Sequence, residues 1–248
     1  MILEICTASV EDCIAAQEGG AHRVELNAAL ALGGLTPSLG TLIEARAAID
    51  LPIIVMIRPR PGGFCYSPRD FAAMQRDVDL ALDHDADGIA FGILNEDGTL
   101  DEPRCKQLIA QIGDHEVVFH RAFDVVPDPS DTLERLIDLG VRRVLTSGQE
   151  ASAYNGVANI ARYREQADDR IEILPGGGIN RFTLADVLAR TGCHQVHASL
   201  TTAKADPSTQ ARPHIAFGGA LRAPEDRFST TDASAVADLR RRLDGHEA

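Results

Sequence analysis

Short runs of apolar and β-branched residues recur along the chain, and each is followed by a stretch long enough for a helix. Runs of this length and composition are typical of buried β-strands. Successive runs start 21 to 35 residues apart, which is the chain length that a strand, a helix and their turns require. The pattern therefore predicts eight strands: Ile2–Cys6, Arg23–Leu26, Ile53–Arg58, Gly88–Leu94, Val117–Phe123, Arg143–Ser147, Ile171–Leu174 and Gln195–Leu200.

Helix start and stop signals stand between these strands. Ser9 is a candidate N-cap for a helix that Gly19 ends, and Ser67 comes directly before Pro68, a residue favoured in the first helical turn. Ser130 and Gly140 frame a third helix in the same way. The signals predict helices over Val10–Glu18, Arg69–His84, Asp131–Leu139, Asn180–Ala189 and Ala233–Leu243.

Eight strands that alternate with helices predict an α/β fold, a single (β/α)8 TIM barrel of eight parallel strands spanning residues 1–248. A doubly wound open sheet is the alternative, but evenly spaced units without a domain break favour closure. Residues 201–231 are interrupted by Pro and Gly and are expected to be irregular, covering the barrel mouth or serving assembly of a homo-oligomer. Residues 232–248 are expected to form a C-terminal helix.

Alternation within each strand indicates which side chains face the barrel interior. Leu3 and Ile5 share one face of the first strand, so Glu4 and Cys6 share the other. Applied to all strands, this reasoning turns apolar residues toward the helices and polar residues inward, near the strand ends where barrel active sites lie. Paired charges that serve only the core are the alternative reading. The inward polar set is Glu4, Glu25, Arg58, His120, His197 and Ser199.

One string adds a carboxylate to this candidate catalytic set. In Phe119–Asp124 a histidine and an aspartate stand four residues apart, on one face if the strand continues. Histidine is the side chain best suited to proton transfer near pH 7, and a carboxylate can fix its tautomer. We therefore expect His120 and Asp124 to act in acid–base catalysis with Glu4, Glu25, Arg58 and His197. Alternatively, Asp124 only holds Arg121.

Two loops at the same end of the barrel offer groups that bind anions. Arg58 and Arg60 begin a loop with a Gly-Gly pair, which suits an anion clamp or a lid, or else a rigid surface loop. The loop after the seventh strand carries three glycines, whose N–H groups form either a phosphate site or a tight turn. The expected anion contacts beyond Arg58 are Arg60, Gly176, Gly177, Gly178 and Ser199.

The sequence offers one candidate metal ligand. Cys6 faces inward and suits a soft ion such as Cu(I), although a single buried cysteine more often packs as a small apolar side chain. Cys193 and His197 do not form a second candidate pair, because they lie far apart along a strand.

Charge and cysteine usage exclude several classes of protein. The net charge is −13, from 24 basic and 37 acidic residues, which argues against nucleic acids and anionic membranes as partners. No apolar run approaches the roughly 20 residues that span a bilayer, and the N-terminus lacks the basic region of a signal peptide. An odd number of cysteines without CxxC spacing predicts free thiols and a cytoplasmic location.

Eight strings, taken together, resemble the CutC family of copper homeostasis proteins. They occur in order over residues 1–200, and the FHRAFD and LTSG strings are specific to the family. The resemblance implies a TIM barrel, in agreement with the strand count, and a cytosolic role in copper homeostasis. The matching strings are Leu3–Cys6, Gly20–Leu26, Gly33–Ser38, Met56–Arg60, Phe119–Asp124, Leu145–Gln149, Pro175–Gly178 and Val196–Ser199.

The resemblance also bears on the metal. A Cu(I) site proposed in the family uses two cysteines, one matching Cys6 and the other matching Asn27, so the implied copper binding is weak because an amide oxygen is a poor Cu(I) ligand. Two functions follow. One is a copper-binding homeostasis protein. The other is a barrel enzyme that uses acid–base chemistry on a small anionic or phosphorylated metabolite, for which carboxylates, arginine and histidine are the suitable groups.

Overall fold

Eight short strands form the centre of the molecule in a computed structural model that describes residues 1–217 and 224–245. All neighbouring strands pair in parallel, in the order β7-β6-β5-β4-β3-β2-β1-β8 when numbered along the chain, and a parallel bridge between Gly176 and His197 joins the two ends of the sheet. The TIM barrel predicted from the sequence is thereby confirmed. The strands are β1 (Ile2–Thr7), β2 (Arg23–Leu26), β3 (Ile53–Met56), β4 (Gly88–Phe91), β5 (Glu116–Phe119), β6 (Arg143–Thr146), β7 (Glu172–Pro175) and β8 (Gln195–Ala198).

Helices cover the outside of the barrel, and capping side chains fix several of their ends. The Ser9 hydroxyl accepts the N–H of Asp12, and Ser67 and Asp70 form a reciprocal capping box. No helix of the described residues is both long enough and apolar enough to cross a bilayer. The helices are α1 (Val10–Glu18), α2 (Leu39–Ala48), α3 (Pro68–Leu82), α4 (Glu102–Ile112), α5 (Pro129–Asp138), α6 (Val157–Ala167), α7 (Leu184–Thr191) and α8 (Ala233–Asp244).

Strand alternation divides the apolar side chains into two clusters. Leu3 and Ile5 of β1 belong to the large cluster between the sheet and the helices, as expected from the sequence. A small apolar cluster fills the barrel interior and forms a floor beneath its open end. This interior cluster consists of Ile54, Met56, Ala90, Val118, Leu145 and Leu174.

Several elements are shorter than the sequence predicts. β3 ends at Met56 rather than Arg58, and β5 ends at Phe119, after which residues Arg121–Val125 form a 3-10 helix. Helix α7 begins at Leu184 rather than Asn180, because the Asn180 side chain accepts the N–H of Phe182 and stabilises a turn there. In each case a polar or proline-containing stretch leaves the regular element early, which places those residues in loops.

The segment 201–231, expected to be irregular, contains an antiparallel pair of strands, β9 (Thr201–Ala205) and β10 (Arg227–Thr231). The threonines in both strands favour extended backbone. Asp12 ties this pair to α1, since its Oδ1 accepts the Thr230 hydroxyl at 2.9 Å and the Thr231 N–H at 2.6 Å. The parts of the sequence predictions that concern residues 218–223 and 246–248 lie outside the described residues.

Candidate functional site

A cavity of about 430 Å³ opens where the barrel strands end, above the interior apolar cluster. We call it the mouth cavity. Met56 and Leu145 of the apolar floor form part of its wall, and polar side chains from several strand ends form much of the rest. The sequence-predicted residues that line it are Cys6, Glu25, Arg58, His120, Asp124, His197 and Ser199.

Glu4 lies one level below the mouth cavity, in a row of ions that crosses three strands. Parallel pairing sets Glu4 of β1 beside His197 of β8 and Arg23 of β2. One carboxylate oxygen of Glu4 accepts a hydrogen bond from Nδ1 of His197 at 2.7 Å. The other oxygen forms an ion pair with Nε of Arg23. The row therefore fixes the His197 ring and leaves Nε2 as its free edge.

Glu4 and His197 are both charged in this row. Burial alone would raise the pKa of Glu4, but Arg23 and the bond from His197 outweigh burial and hold the pKa well below its ordinary value. Burial opposes protonation of His197, yet the charge of Glu25 and the contacts with Cys6 and Glu4 raise its pKa well above the ordinary value. The structure thus stabilises a carboxylate and an imidazolium side by side.

A second polar row lies directly on the cavity wall. Cys6 and Glu25 are register partners, and Cys6 Sγ lies 3.9 Å from Oε2 of Glu25. The Asn27 amide donates to that same oxygen at 2.9 Å and to Cys6 Sγ at 3.5 Å. Nε2 of His197 lies 3.9 Å from Oε2 of Glu25. Burial raises the pKa of both the Glu25 carboxyl and the Cys6 thiol. Sulfur, nitrogen and carboxylate donors therefore meet at one point.

His120 follows β5 and lines the mouth cavity. Its Nδ1 accepts the N–H of Ala122 at 3.1 Å, so the proton of the neutral ring is on Nε2. Burial, followed by the charge of Arg58, lowers its pKa to about 3. Gly92 makes room for the ring, since a Cβ there would lie 2.6 Å from two of its atoms. Nε2 is buried and has no partner among the described residues.

Arg58 ties two loops together at the edge of the mouth cavity. Its Nη1 donates to the carbonyl oxygens of Leu32 at 3.1 Å and Gly34 at 2.9 Å, and its Nη2 donates to Gly62 at 2.7 Å. The guanidinium also lies over the Phe64 ring, 5.2 Å from its centroid. Its Nε is buried and has no hydrogen-bond partner in the described part of the chain.

Asp124 lines the mouth cavity but is not hydrogen-bonded to His120, contrary to the first of the two sequence interpretations. The 3-10 turn directs its carboxylate to Arg121 Nε at 2.7 Å, to Thr146 Oγ1 at 2.5 Å and to the Ser147 N–H at 3.0 Å. Arg121, which sequence reasoning did not place in the site, lines the cavity and also donates to Ser147 Oγ at 2.7 Å. The alternative, that Asp124 holds Arg121, describes the structure.

The expected anion clamp is not assembled as predicted. Arg60 is not among the residues that line the mouth cavity; its Nε pairs with Asp70 at 3.3 Å, and its Nη2 donates to the Cys65 carbonyl at 2.6 Å. It also stacks on Tyr66, with the guanidinium 5.0 Å from the ring centroid. Because Pro59 and Pro61 take the chain away from β3, the alternation that placed Arg60 inward does not continue.

The glycine loop after β7 also lies beside the cavity rather than on its wall. The Gly176 N–H donates to the Thr146 carbonyl at 2.9 Å as part of the sheet. Neither Gly177 nor Gly178 is among the described residues that line the cavity, whereas Ser199 is. The Arg121 guanidinium lies close to this loop, since a Cβ on Gly177 would lie 3.5 Å from its Nη1.

A further polar layer, also missed from the sequence, lies beneath the apolar floor. Arg143 donates from Nε to Gln195 Oε1 at 3.1 Å and forms ion pairs with Glu172 and Glu116, both at 2.9 Å. Gln195 Oε1 also accepts Arg23 Nη2 at 3.0 Å, which connects this layer to the ion row. Arg23, Arg143 and Gln195 stand at strand starts, and the inward polar set predicted from the sequence does not include them.

Comparisons with known proteins agree with the resemblance noted above. A model of the CutC family matches residues 1–202. A CutC family protein of Treponema denticola is 49% identical over 90% of this chain and 91% of its own length. The human copper homeostasis protein cutC homolog is 41% identical over 96% of this chain and 87% of its own. A crystal structure of a CutC protein from Streptococcus agalactiae, 32% identical, superposes with a TM-score of 0.76 over 79% of this chain and 97% of that one.

Proposed function

The chain belongs to the CutC family, and we propose that it is an enzyme that uses acid–base chemistry on a small anionic or phosphorylated metabolite in the mouth cavity. One observation carries the proposal. Three buried polar atoms without a partner in the described chain belong to cavity residues: Oε1 of Glu25, Nε2 of His120 and Nε of Arg58. Each such atom costs about 1–3 kcal/mol when left unpaired, so a ligand that pairs with them gains affinity.

The character of these atoms defines the ligand. His120 Nε2–H and Arg58 Nε–H are donors, so the ligand offers them an oxygen that carries negative charge. Glu25 Oε1 is an acceptor, so the ligand brings it an acidic proton. The Arg121 guanidinium, paired with Asp124, adds a cationic side chain to the cavity wall. A carboxylate, a phosphate ester or a carbonyl compound with an acidic C–H or O–H meets these requirements.

Glu25 and His197 then provide the proton transfer. The Glu25 carboxylate accepts a proton from the ligand at Oε1, while Oε2 keeps its bond from Asn27. His197, held at Nδ1 by Glu4, directs Nε2 to within 3.9 Å of the same carboxylate and returns a proton to the product. The neutral His120 N–H stabilises negative charge that develops on the ligand oxygen.

Ligand-dependent thermal unfolding tests the proposal. The full chain is unfolded with and without millimolar inorganic phosphate, sugar phosphates and 2-oxo acids, and we expect at least one to raise the Tm by mass action. Any compound that does so is then incubated with the protein in D2O, where acid–base chemistry appears in NMR spectra as exchange of its C–H protons or as conversion.

Matched variants locate the binding. His120→Gln and Arg121→Gln should lose the Tm increase, because both side chains line the mouth cavity. His194→Gln and Arg60→Gln should keep it, because neither lines the cavity. If no compound in the panel stabilises the wild type, or if His120→Gln responds like the wild type, the enzyme proposal is wrong.

Copper handling is the second candidate function, favoured by the cluster of Cys6, Glu25 and His197 and by the name of the human relative. Copper here is a cargo. Cu(I) prefers thiolate and thioether ligands, but the cluster contains one thiol beside a carboxylate and an imidazole. Because this donor set suits Cu(I) poorly, the enzyme is the function that the geometry supports better.

A further inference from the structure

The donor atoms of Cys6, Glu25 and His197 are arranged closely enough to bind one ion. All three lie within 4.8 Å of one another, and Oε2 of Glu25 is 3.9 Å from both the Cys6 sulfur and Nε2 of His197. In a tetrahedral zinc site, bonds of about 2.0–2.3 Å place neighbouring ligand atoms about 3.3–3.6 Å apart. The two 3.9 Å separations exceed this range by only a few tenths of an ångström, so small side-chain shifts bring Glu25 onto one ion with Cys6 and with His197.

The surrounding residues already orient these donors as outer ligands of metal sites do. Glu4 holds Nδ1 of His197 at 2.7 Å, which leaves Nε2 as the coordinating nitrogen. Asn27 holds the Glu25 carboxylate through Oε2 at 2.9 Å. The other oxygen, Oε1, is buried and has no partner among the described residues. An unpaired buried carboxylate oxygen requires an explanation, and a bound cation supplies one.

The charges around the cluster match a divalent ion. With Cys6 as a thiolate, the cluster and its support carry three negative charges, on Cys6, Glu25 and Glu4. The Arg23 guanidinium, paired with Glu4, offsets one of them. A doubly charged cation with neutral His197 balances the remaining two, whereas a singly charged ion leaves one charge buried and uncompensated.

We propose that Cys6, Glu25 and His197 form a site for a borderline divalent cation of the Zn²⁺ type, with a fourth coordination position open to the mouth cavity. One thiolate, one imidazole and one carboxylate are ligands that zinc accepts together, and three protein ligands with an open position are typical of reactive zinc sites. Cu(I), which prefers sulfur, fits the same three donors less well.

The ion also has a consequence for the proposed acid–base pair, and this consequence alone rests on the proposed function. Coordination occupies the lone pair of His197 Nε2 and withdraws charge from the Glu25 carboxylate, so His197 cannot transfer a proton and Glu25 becomes a weaker base while the ion is bound. Divalent cations therefore inhibit the proton transfer, and the inhibition weakens at low pH because protons compete for the same ligands.

Cobalt titration of the full reduced chain tests the site without any metabolite. Co²⁺ occupies zinc sites, and its bond to a thiolate gives a charge-transfer band in the near ultraviolet. We expect the band to saturate at one equivalent and to disappear when Zn²⁺ is added. Cys6→Ser should lose the band, and Glu25→Gln should weaken Co²⁺ binding at least about 10-fold. Cys65→Ser, which removes an exposed thiol outside the cavity, is the matched control and should behave as wild type.

Alkylation provides a measurement that needs no variant. Zn²⁺ should protect Cys6 from iodoacetamide and leave the exposed Cys65 unprotected, as read by mass spectrometry of the peptides. The site is refuted if the wild type shows no cobalt band, if Cys6→Ser retains it, or if Zn²⁺ leaves Cys6 alkylation unchanged. No metabolite enters these measurements, so a negative result refutes the metal site without affecting the enzyme proposal. Likewise, a negative metabolite panel refutes the enzyme proposal without affecting the metal site.

Discussion

His197 and Glu4 are register partners on neighbouring strands, and their side chains meet at 2.7 Å between Nδ1 and Oε1. Arg23, the register partner of Glu4 on the other side, pairs with the second carboxylate oxygen. One buried row thus joins β8, β1 and β2 and determines which edge of the His197 ring faces the mouth cavity. Proton transfer and metal binding both depend on that orientation.

Glu4→Gln should destabilise the protein strongly. The substitution removes the negative charge between Arg23 and His197, and breaking a buried ion pair from one side costs about 3–5 kcal/mol of unfolding free energy. Urea denaturation at pH 7 measures the loss. Glu11→Gln, at an exposed position, should change stability by less than about 0.5 kcal/mol.

The double variant Glu4→Gln/Arg23→Gln separates the interaction from the cost of each replacement. Because it leaves no unpaired Arg23 charge, it should be more stable than the sum of the two single effects implies. A loss below about 1 kcal/mol in Glu4→Gln would contradict the ion row as a determinant of stability.

The unfolding free energy of the wild type should fall more steeply in acid than that of His120→Gln. Burial and Arg58 lower its pKa from 6.5 to about 3, so between these values the unfolded chain binds a proton at His120 and the folded chain does not. Its contribution to stability is complete above pH 6.5 and is lost as the pH falls toward 3. The wild type should therefore lose up to about 1.4 kcal/mol more per pH unit than His120→Gln between pH 6 and pH 4.

Denaturant unfolding at several pH values checks this slope, with the exposed His194→Gln as control. Nitrogen NMR of the imidazoles provides a direct observation, since His120 should remain neutral with its proton on Nε2 at pH 5. Titration of His120 near pH 6.5, or equal slopes in the wild type and His120→Gln, would show that the ring is not held neutral.

Gly92→Ala should displace the His120 ring. A Cβ at Gly92 would lie 2.6 Å from Cε1 and Nδ1 of His120, closer than carbon atoms approach, and overpacking of this kind costs about 1–3 kcal/mol. Gly63→Ala, where a Cβ meets nothing within 4 Å, should stay within about 0.5 kcal/mol of the wild type. Thermal unfolding compares the two, and equal stability in both would remove Gly92 as the residue that makes room for the ring.

Asn27→Cys should tighten Cu(I) binding by at least about tenfold, or about 1.4 kcal/mol. The Asn27 amide nitrogen lies 3.5 Å from Cys6 Sγ, so a thiol here supplies the second sulfur that Cu(I) prefers. Competition against a Cu(I) chelator measures the change, with Asn180→Cys, outside the cavity, as control. Tight one-to-one binding by the wild type that is lost in Cys6→Ala would instead support the copper function.

Much of the architecture follows from the sequence because strand patterns and caps are local signals. The apolar runs locate all eight barrel strands, and alternation within a strand distinguishes Leu3 and Ile5 from Glu4 and Cys6. Alternation also brings Glu25, which comes from a different strand, to the same cavity as Cys6. These predictions need only the period of the strand and the direction of the barrel axis.

Other features depend on information that one strand does not contain. Arg23 stands at the start of β2, and its partner Glu4 becomes evident only when the register between β1 and β2 is known. Apolar residues up to Phe123 predict a strand that reaches Asp124, but the chain turns after His120, whose N–H makes the last bond to the Phe91 carbonyl. The contacts of Arg23 and Asp124 are therefore determined by strand register and loop direction, which composition does not reveal.

Backbone pairing in the barrel is sparse between β7 and β8, beside the mouth cavity. The backbone of β8 pairs with β1 through four register pairs, but with the β7 side, among the described residues, only through the bridge between Gly176 and His197; the Gln195 side chain adds one bond to Glu172 of β7 at 3.1 Å. We therefore expect local opening of the sheet to begin between β7 and β8. His197 would then stay with Glu4, its register partner on β1, while the Gly176 loop stays with β7. Such an opening would widen the mouth cavity without a separate lid segment.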